Sequence, residues 1–282
     1  MQASVVVIGG AVMGASCAFW LTRMHPGLDV LVVERDPSFA TASTALSAAG
    51  IRQQFTTAVN VEISRFGIGF IKNFAEEVGP QAGVPSLGLR ENGYLFLSQT
   101  AEGAQALAEV ATLQRAHGAG TEIWTPAQTA ARFPWLNVED LTAASFGPRD
   151  EGFFDNMGLL SGLRAAAKAQ GARFVTDEVT GLTVASGRVT AVHLAKAGAV
   201  ACEVAVNAAG PRAATVLRWA GLDLAVEPRK RTIFVIDAPH ARHPDAPRPH
   251  LAAKGLRLRQ AALRSSRSGS VTRNEAPPRP GI

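Results

Sequence analysis

The residues with the clearest chemical meaning stand at the start of the chain. Gly9, Gly10 and Gly14 lie in the stretch Val5-Val6-Val7-Ile8-Gly9-Gly10-Ala11-Val12-Met13-Gly14, and Glu34 follows twenty residues after Gly14. A diphosphate is a dianion, and a helix N-terminus offers it unpaired N–H groups and a partial positive charge. In a G-x-G-x-x-G turn, the first glycine permits the tight bend. The second lets the backbone approach the phosphates, and the third lets helix and strand pack closely. Here Ala11 replaces the second glycine. That methyl is tolerable if the residue keeps a negative φ and its Cβ points away from the phosphates. A carboxylate at Glu34 can accept hydrogen bonds from both hydroxyls of an adenosine ribose and would repel a 2′-phosphate, which argues against NADP.

These residues need a strand, a helix and a second strand to hold them. Residues 4–8 are a β-branched run suited to a strand buried on both faces. Residues 12–23 read as a helix that turns small Gly14, Ala15 and Ala18 toward the sheet and stops at Pro26-Gly27. Residues 29–34 give the second buried strand, completing a β-α-β unit. A run of small residues, 38–50, follows. Downstream, 59–78 reads as one amphipathic helix, 87–98 as a hairpin about Asn92-Gly93 leading into strand 94–97, and 100–117 as a helix. A short helix is expected within 125–136, a longer one over 157–170 and a short strand over 173–175. Residues 179–184, 189–194 and 201–206 read as a three-stranded meander, with a helix at 212–219 and a strand at 231–236.

The β-α-β unit alone does not separate FAD from NAD. Three further stretches do. Glu34-Arg35-Asp36 leads into Ser43-Thr44-Ala45-Leu46-Ser47-Ala48-Ala49-Gly50, whose small side chains let a long cofactor lie against backbone. Asp177-Glu178-Val179-Thr180-Gly181-Leu182 opens the meander, and Asn207-Ala208-Ala209-Gly210 ends its last strand. Together with the glycine turn, these resemble the FAD-dependent amine and amino-acid oxidoreductases, the family of D-amino-acid oxidase, glycine oxidase and sarcosine oxidase. The resemblance runs over about residues 4–236. It implies an α/β fold: a Rossmann-like FAD-binding domain with a three-stranded meander, plus a mostly antiparallel α+β substrate domain, here incomplete. The division expected is 1–80 with 145–215 for FAD, 81–144 with 216–237 for substrate, and 238–282 as a basic, disordered tail.

By the same resemblance, Gly9, Gly10, Val12, Met13 and Gly14 would lie on the pyrophosphate, and Glu34 and Arg35 would hold the adenosine end. Ser43, Thr44, Ala49, Gly50 and Ile51 would line the path to the flavin. Val179 would meet the adenine edge, and Ala209 and Gly210 would pass near the cofactor. The reaction implied is oxidation of a C–N bond in a small amine or amino acid of the glycine, sarcosine or D-amino-acid type, with oxygen or a quinone reoxidising the flavin. The flavin carries the electron chemistry, so no catalytic acid or base is required and none is assigned. Arg52 and Gln53 are candidates for the flavin or substrate side, and Tyr94 reads as core. The six histidines show no metal-ligand spacing.

Bulk properties set the remaining bounds. At 282 residues and 47% hydrophobic, the chain is long enough for two domains. The net charge of +5 sits in the tail: 19 of the 28 Lys/Arg and 21 of the 23 Asp/Glu precede Ala238. That distribution argues against a nucleic-acid surface on the body. Cys17 and Cys202 read as free thiols in a reducing, cytoplasmic compartment. The uncharged run 4–21 is interrupted by Gly9-Gly10 and reads as strand, turn and helix rather than a membrane span. After Asp237 the Arg/Ala/Pro/Ser-rich text resembles nothing in the family, which points to a frameshift or truncation and to impaired flavin retention and turnover. A non-catalytic FAD-binding assembly or binding factor is the alternative, and an NAD-dependent dehydrogenase the third reading.

Overall fold

The computed structural model describes residues 1–229 and the backbone of 248–251. It opens as expected, with β1 (Gln2–Ile8), α1 (Val12–Met24) and β2 (Val30–Glu34). Then come β3 (Gly50–Ile51), α2 (Ala58–Lys72), α3 (Phe74–Val78), β4 (Tyr94–Ser98), α4 (Ala101–Ala116), β5 (Glu122–Trp124), α5 (Pro126–Arg132), β6 (Ala143–Gly147) and β7 (Gly152–Phe153). The order continues with α6 (Asn156–Ala169), β8 (Arg173–Thr176), β9 (Val179–Ala185), β10 (Arg188–Leu194), β11 (Gly198–Asn207), α7 (Ala213–Trp219) and β12 (Arg248–Leu251).

Six strands form one sheet in the order β8-β2-β1-β11-β10-β9. The first four are mutually parallel, and β10 and β9 are antiparallel additions. The expected meander is therefore present, and its last strand doubles as the fourth parallel strand. Burial on both faces explains why residues 5–8 of β1 and 30–33 of β2 are wholly apolar. Val5, Val7, Val30 and Val32 enter a core shared with α1 and α6, while Val6, Ile8, Leu31 and Val33 enter a second core against the meander and α7. Each such side chain removed from water contributes roughly 1.5–3 kcal/mol. Gly14, Ala15 and Ala18 are buried on the sheet-facing side of α1, as their size requires.

A second sheet, β12-β4-β6-β5, is antiparallel except for the β12–β4 pair. Leu95, Leu97, Ala144 and Phe146 point to one side and pack with Phe133, Trp124 and Leu136. The alternate residues Tyr94, Phe96 and Ser145 belong to the opposite face.

Four sequence expectations change. The helix expected over 59–78 is two helices, because Asn73 leaves the helical region (φ −102°, ψ 20°), ending α2 and starting α3. The expected hairpin about Asn92-Gly93 does not form. Arg90 instead exchanges backbone hydrogen bonds with Phe153, and the Gly93 N–H donates to the Glu151 carbonyl. β3, β5, β6 and β7 had no sequence counterpart. Finally, Arg248–Leu251 falls in the stretch read as a disordered tail, yet its backbone adds a parallel strand beside Tyr94–Leu97. The strand expected at 231–236 lies outside the described residues.

Candidate functional site

The glycine turn joins the central strand β1 to α1, as diphosphate binding at a helix N-terminus demands. Gly9 has φ +101°, and a Cβ there would lie 2.5 Å from the Ala208 carbonyl oxygen. Only glycine suits that combination of conformation and space. A Cβ on Gly14 would overlap the Gly9 carbonyl oxygen, so the helix is seated directly on the turn. Ala11 is the α1 N-cap, with φ −69°, the negative value its methyl requires. The turn thus touches the Asn207–Gly210 stretch directly: Ile8 pairs with Asn207 across parallel strands, and the Ala208 N–H donates to the Ile8 carbonyl at 2.9 Å.

Glu34 ends β2 beside this turn. One carboxylate oxygen accepts the Gly10 N–H at 2.8 Å and the other accepts the Asp36 N–H at 2.9 Å. Each oxygen retains a further lone pair for a ribose hydroxyl. The Val12 N–H donates to Thr44 Oγ1 at 3.3 Å, and the Asn156 side-chain amide donates to the Thr44 carbonyl. These two bonds lay the small-residue segment across the N-termini of α1 and α6.

A cavity of about 750 Å³ opens over these groups. Gly9, Val12, Met13, Glu34 and Arg35 line one side. Ser43 and Thr44 line another, and Val179, Ala209 and Gly210 close a third. The chain therefore brings ten of its predicted cofactor contacts around one space. Gly10 and Gly14 sit behind the wall, where they hold Glu34 and the turn in place. Ala49, Gly50 and Ile51 lie beyond the cavity, with Gly50–Ile51 paired to β7. Sequence reasoning missed Phe39, Arg212 and Trp219, which also line it. Arg212 lies two residues after the Asn207–Gly210 stretch and was the most readable of the three. At the mouth, Glu178 pairs with Arg212 at 3.3 Å and with Arg35 at 3.9 Å, all three side chains being exposed.

β3 leads from this cavity to a second cluster. The Arg52 guanidinium stacks on Phe55, Tyr94 and Phe96, with ring centroids at 4.8, 5.7 and 5.6 Å. Arg52 Nε is buried and has no hydrogen-bond partner. Gln53 is buried, and its N–H donates to Glu151 Oε1 at 2.7 Å. Gln54 Nε2 donates to Glu151 Oε2 at 2.9 Å. Burial pushes the Glu151 carboxyl up to about 7, against the hydrogen bonds from Gln54 and Gln53 and the positive charge of Arg52. Tyr94 is buried in the sheet, matching its reading as core.

Among the described residues, no helix is long and apolar enough to cross a membrane, and no group of His, Cys, Asp and Glu is placed to hold a metal ion. Cys17 and Cys202 are unpaired, and burial raises both thiols above their usual range.

A parallel sheet whose first crossover presents a glycine turn and an acidic strand end to a long cavity defines a dinucleotide-binding α/β protein. The chain belongs to the FAD dependent oxidoreductase family (DAO), which matches residues 4–272. FAD is the cofactor that this membership carries, and the amino-acid-oxidase resemblance holds. The match also passes Asp237, where the sequence had placed the end of the resemblance. Among curated relatives, the Bos taurus FAD-dependent oxidoreductase domain-containing protein 1 is 35% identical over 99% of this chain and 64% of its own length. The mitochondrial sarcosine dehydrogenase of Mus musculus is 31% identical over 78% of this chain and 24% of that protein. The crystal structure of L-proline dehydrogenase from P. horikoshii superposes with a TM-score of 0.69 at 27% identity, covering 78% of this chain and 56% of that one. The chain thus spans less than two thirds of the length of the curated relatives it matches.

Proposed function

We propose that this chain binds FAD in the cavity beside Gly9 and Glu34 and oxidises the C–N bond of a small amine or amino acid, with oxygen or a quinone as final acceptor. The observation that carries this reading is the convergence of the glycine turn, the Glu34 carboxylate, the Ser43–Thr44 segment and the Ala209–Gly210 turn on one cavity. The α1 N-terminus supplies N–H groups for the diphosphate, and Glu34 fixes the adenosine ribose. FAD bound there would supply the acceptor for a hydride from the carbon that bears the amine. Arg52 gives the substrate side a fixed cation for a carboxylate group, and its aromatic neighbours exclude water from that side. A desolvated cation binds an anion far more strongly than an exposed one.

The same convergence supports residues 1–80 and 145–215 as the FAD-binding domain, since all six strands of the large sheet fall there. A reducing compartment suits two unpaired thiols. The second reading, a non-catalytic FAD-binding assembly or binding factor, draws support from α2. There Val59, Ile63 and Phe66 stand 58%, 62% and 63% exposed along one helical face.

The test is a flavin absorbance spectrum of the purified chain, followed by anaerobic mixing with glycine, sarcosine, D-alanine and proline. Bleaching of the flavin by one of them is the expected result. A flavin-loaded chain inert to all amines would favour the second reading.

A further inference from the structure

Glu151 is 1% exposed, and neither hydride transfer nor FAD binding calls for a buried carboxylate there. Its surroundings are nevertheless built for it. A Cβ on Gly147 would overlap Glu151 Oε2, so the β6 end is hollowed to admit the side chain. Its two oxygens take the Gln53 N–H and the Gln54 side-chain N–H. Gln54 is held in turn by Ser145, whose hydroxyl donates to its Oε1 at 2.7 Å, and by the Tyr94 carbonyl, which accepts from its Nε2 at 2.9 Å. The network therefore clamps the segment that presents Arg52. Arg52 and Glu151 carry opposite charges yet form no ion pair, since no carboxylate of the described residues lies within 4.0 Å of the Arg52 guanidinium.

We propose that Glu151 is a positioning residue that couples carboxylate capture at Arg52 to uptake of a proton. This rests on the reading of Arg52 as the substrate-side cation. As a carboxylate, Glu151 cancels part of the Arg52 charge; once protonated, it leaves that charge to the ligand. An incoming carboxylate neutralises Arg52 and adds its own negative charge nearby, and both effects favour protonated Glu151. Because burial already holds the Glu151 carboxyl near neutrality, both forms are populated at physiological pH. Few other charges face it. From β6, Gly147 lies against its carboxylate, and the Tyr94 carbonyl and Ser145 act on it through Gln54. On its own turn, Arg149 and Asp150 precede it, and Asp150 is engaged outward by Lys72, which also pairs with Glu91.

The experiment uses the chain with saturating FAD and titrates propionate, a carboxylate with no amine to oxidise. Calorimetry in buffers of different ionisation enthalpy reads Kd and proton uptake between about pH 6 and about pH 8. Wild type is expected to take up a fraction of a proton and to weaken three- to tenfold, roughly, as pH rises through that range. E151Q should bind with no uptake and a flat pH profile, while R52A should lose binding. Binding that R52A abolishes but whose uptake survives in E151Q overturns the role of Glu151 and leaves Arg52 standing. Wild type that ignores propionate overturns both. Should E151Q not fold, the carboxyl carbon resonance titrating near neutrality in labelled wild type gives the answer. An upward move with propionate supports the coupling, and an unmoved titration overturns it.

Discussion

The wall of the cavity and the buried wall of the second cluster beyond it are built on different principles. The wall at Gly9 and Ala208, with Gly14 packed behind it, is backbone: its shape depends on side chains that are absent, and a single methyl group would collide with a carbonyl. The wall at Arg52, Gln54 and Glu151 is side chain: its shape depends on polar groups that satisfy one another. The first has one solution and little tolerance. The second can be retuned by exchanging a residue for one that keeps its partners satisfied.

Gly14→Ala should break the backbone wall most severely. The added methyl has no room beside Gly9, so the chain should lose about 3 kcal/mol, seen in thermal unfolding, together with its FAD affinity. On the side-chain wall, the pH dependence of stability should carry the signature of Glu151. Its carboxyl titrates near 7 folded and in the ordinary acidic range unfolded, so the folded chain holds more protons between those values. Stability should therefore fall as pH rises from about 4.5 through about 7, by about 3 kcal/mol in all, and E151Q should flatten that slope in urea titrations. Glu34→Ala is milder toward the fold, since it strands only the Gly10 and Asp36 N–H groups at a half-open site. It should still weaken FAD binding about 10- to 100-fold in a fluorescence titration. Thr125→Ala is the control outside both walls. Thr125 and Gln128 form a capping box on α5, so its loss should cost about 1 kcal/mol and leave FAD affinity unchanged.

The same division explains what the sequence could reveal. The backbone wall was legible because glycine and alanine at fixed spacing, between runs of valine, suit little besides a strand turning tightly into a helix. Glu34 then stood at the distance a ribose contact needs. The meander was legible from its alternation. β6, by contrast, reads Ala-Ala-Ser-Phe-Gly, with no β-branched residue, and owes its place to pairing with β4 and β5 rather than to propensity. The hairpin failed because Gly93 supplies a positive φ that also serves a turn toward β7. Glu151 was invisible for a related reason: its partners lie about a hundred residues upstream, and no local pattern marks a carboxylate for burial.

In the proposed function, the Gly9–Gly14 turn and Glu34 seat the adenosine diphosphate half of FAD. Titrating purified wild type and E34A with FAD, with ADP as competitor, tests it most directly. Saturable one-to-one binding by wild type, displaced by ADP and weakened at least about tenfold in E34A, is the result predicted. A folded wild type with no FAD affinity, or one whose affinity ignores both ADP and the loss of Glu34, would contradict it.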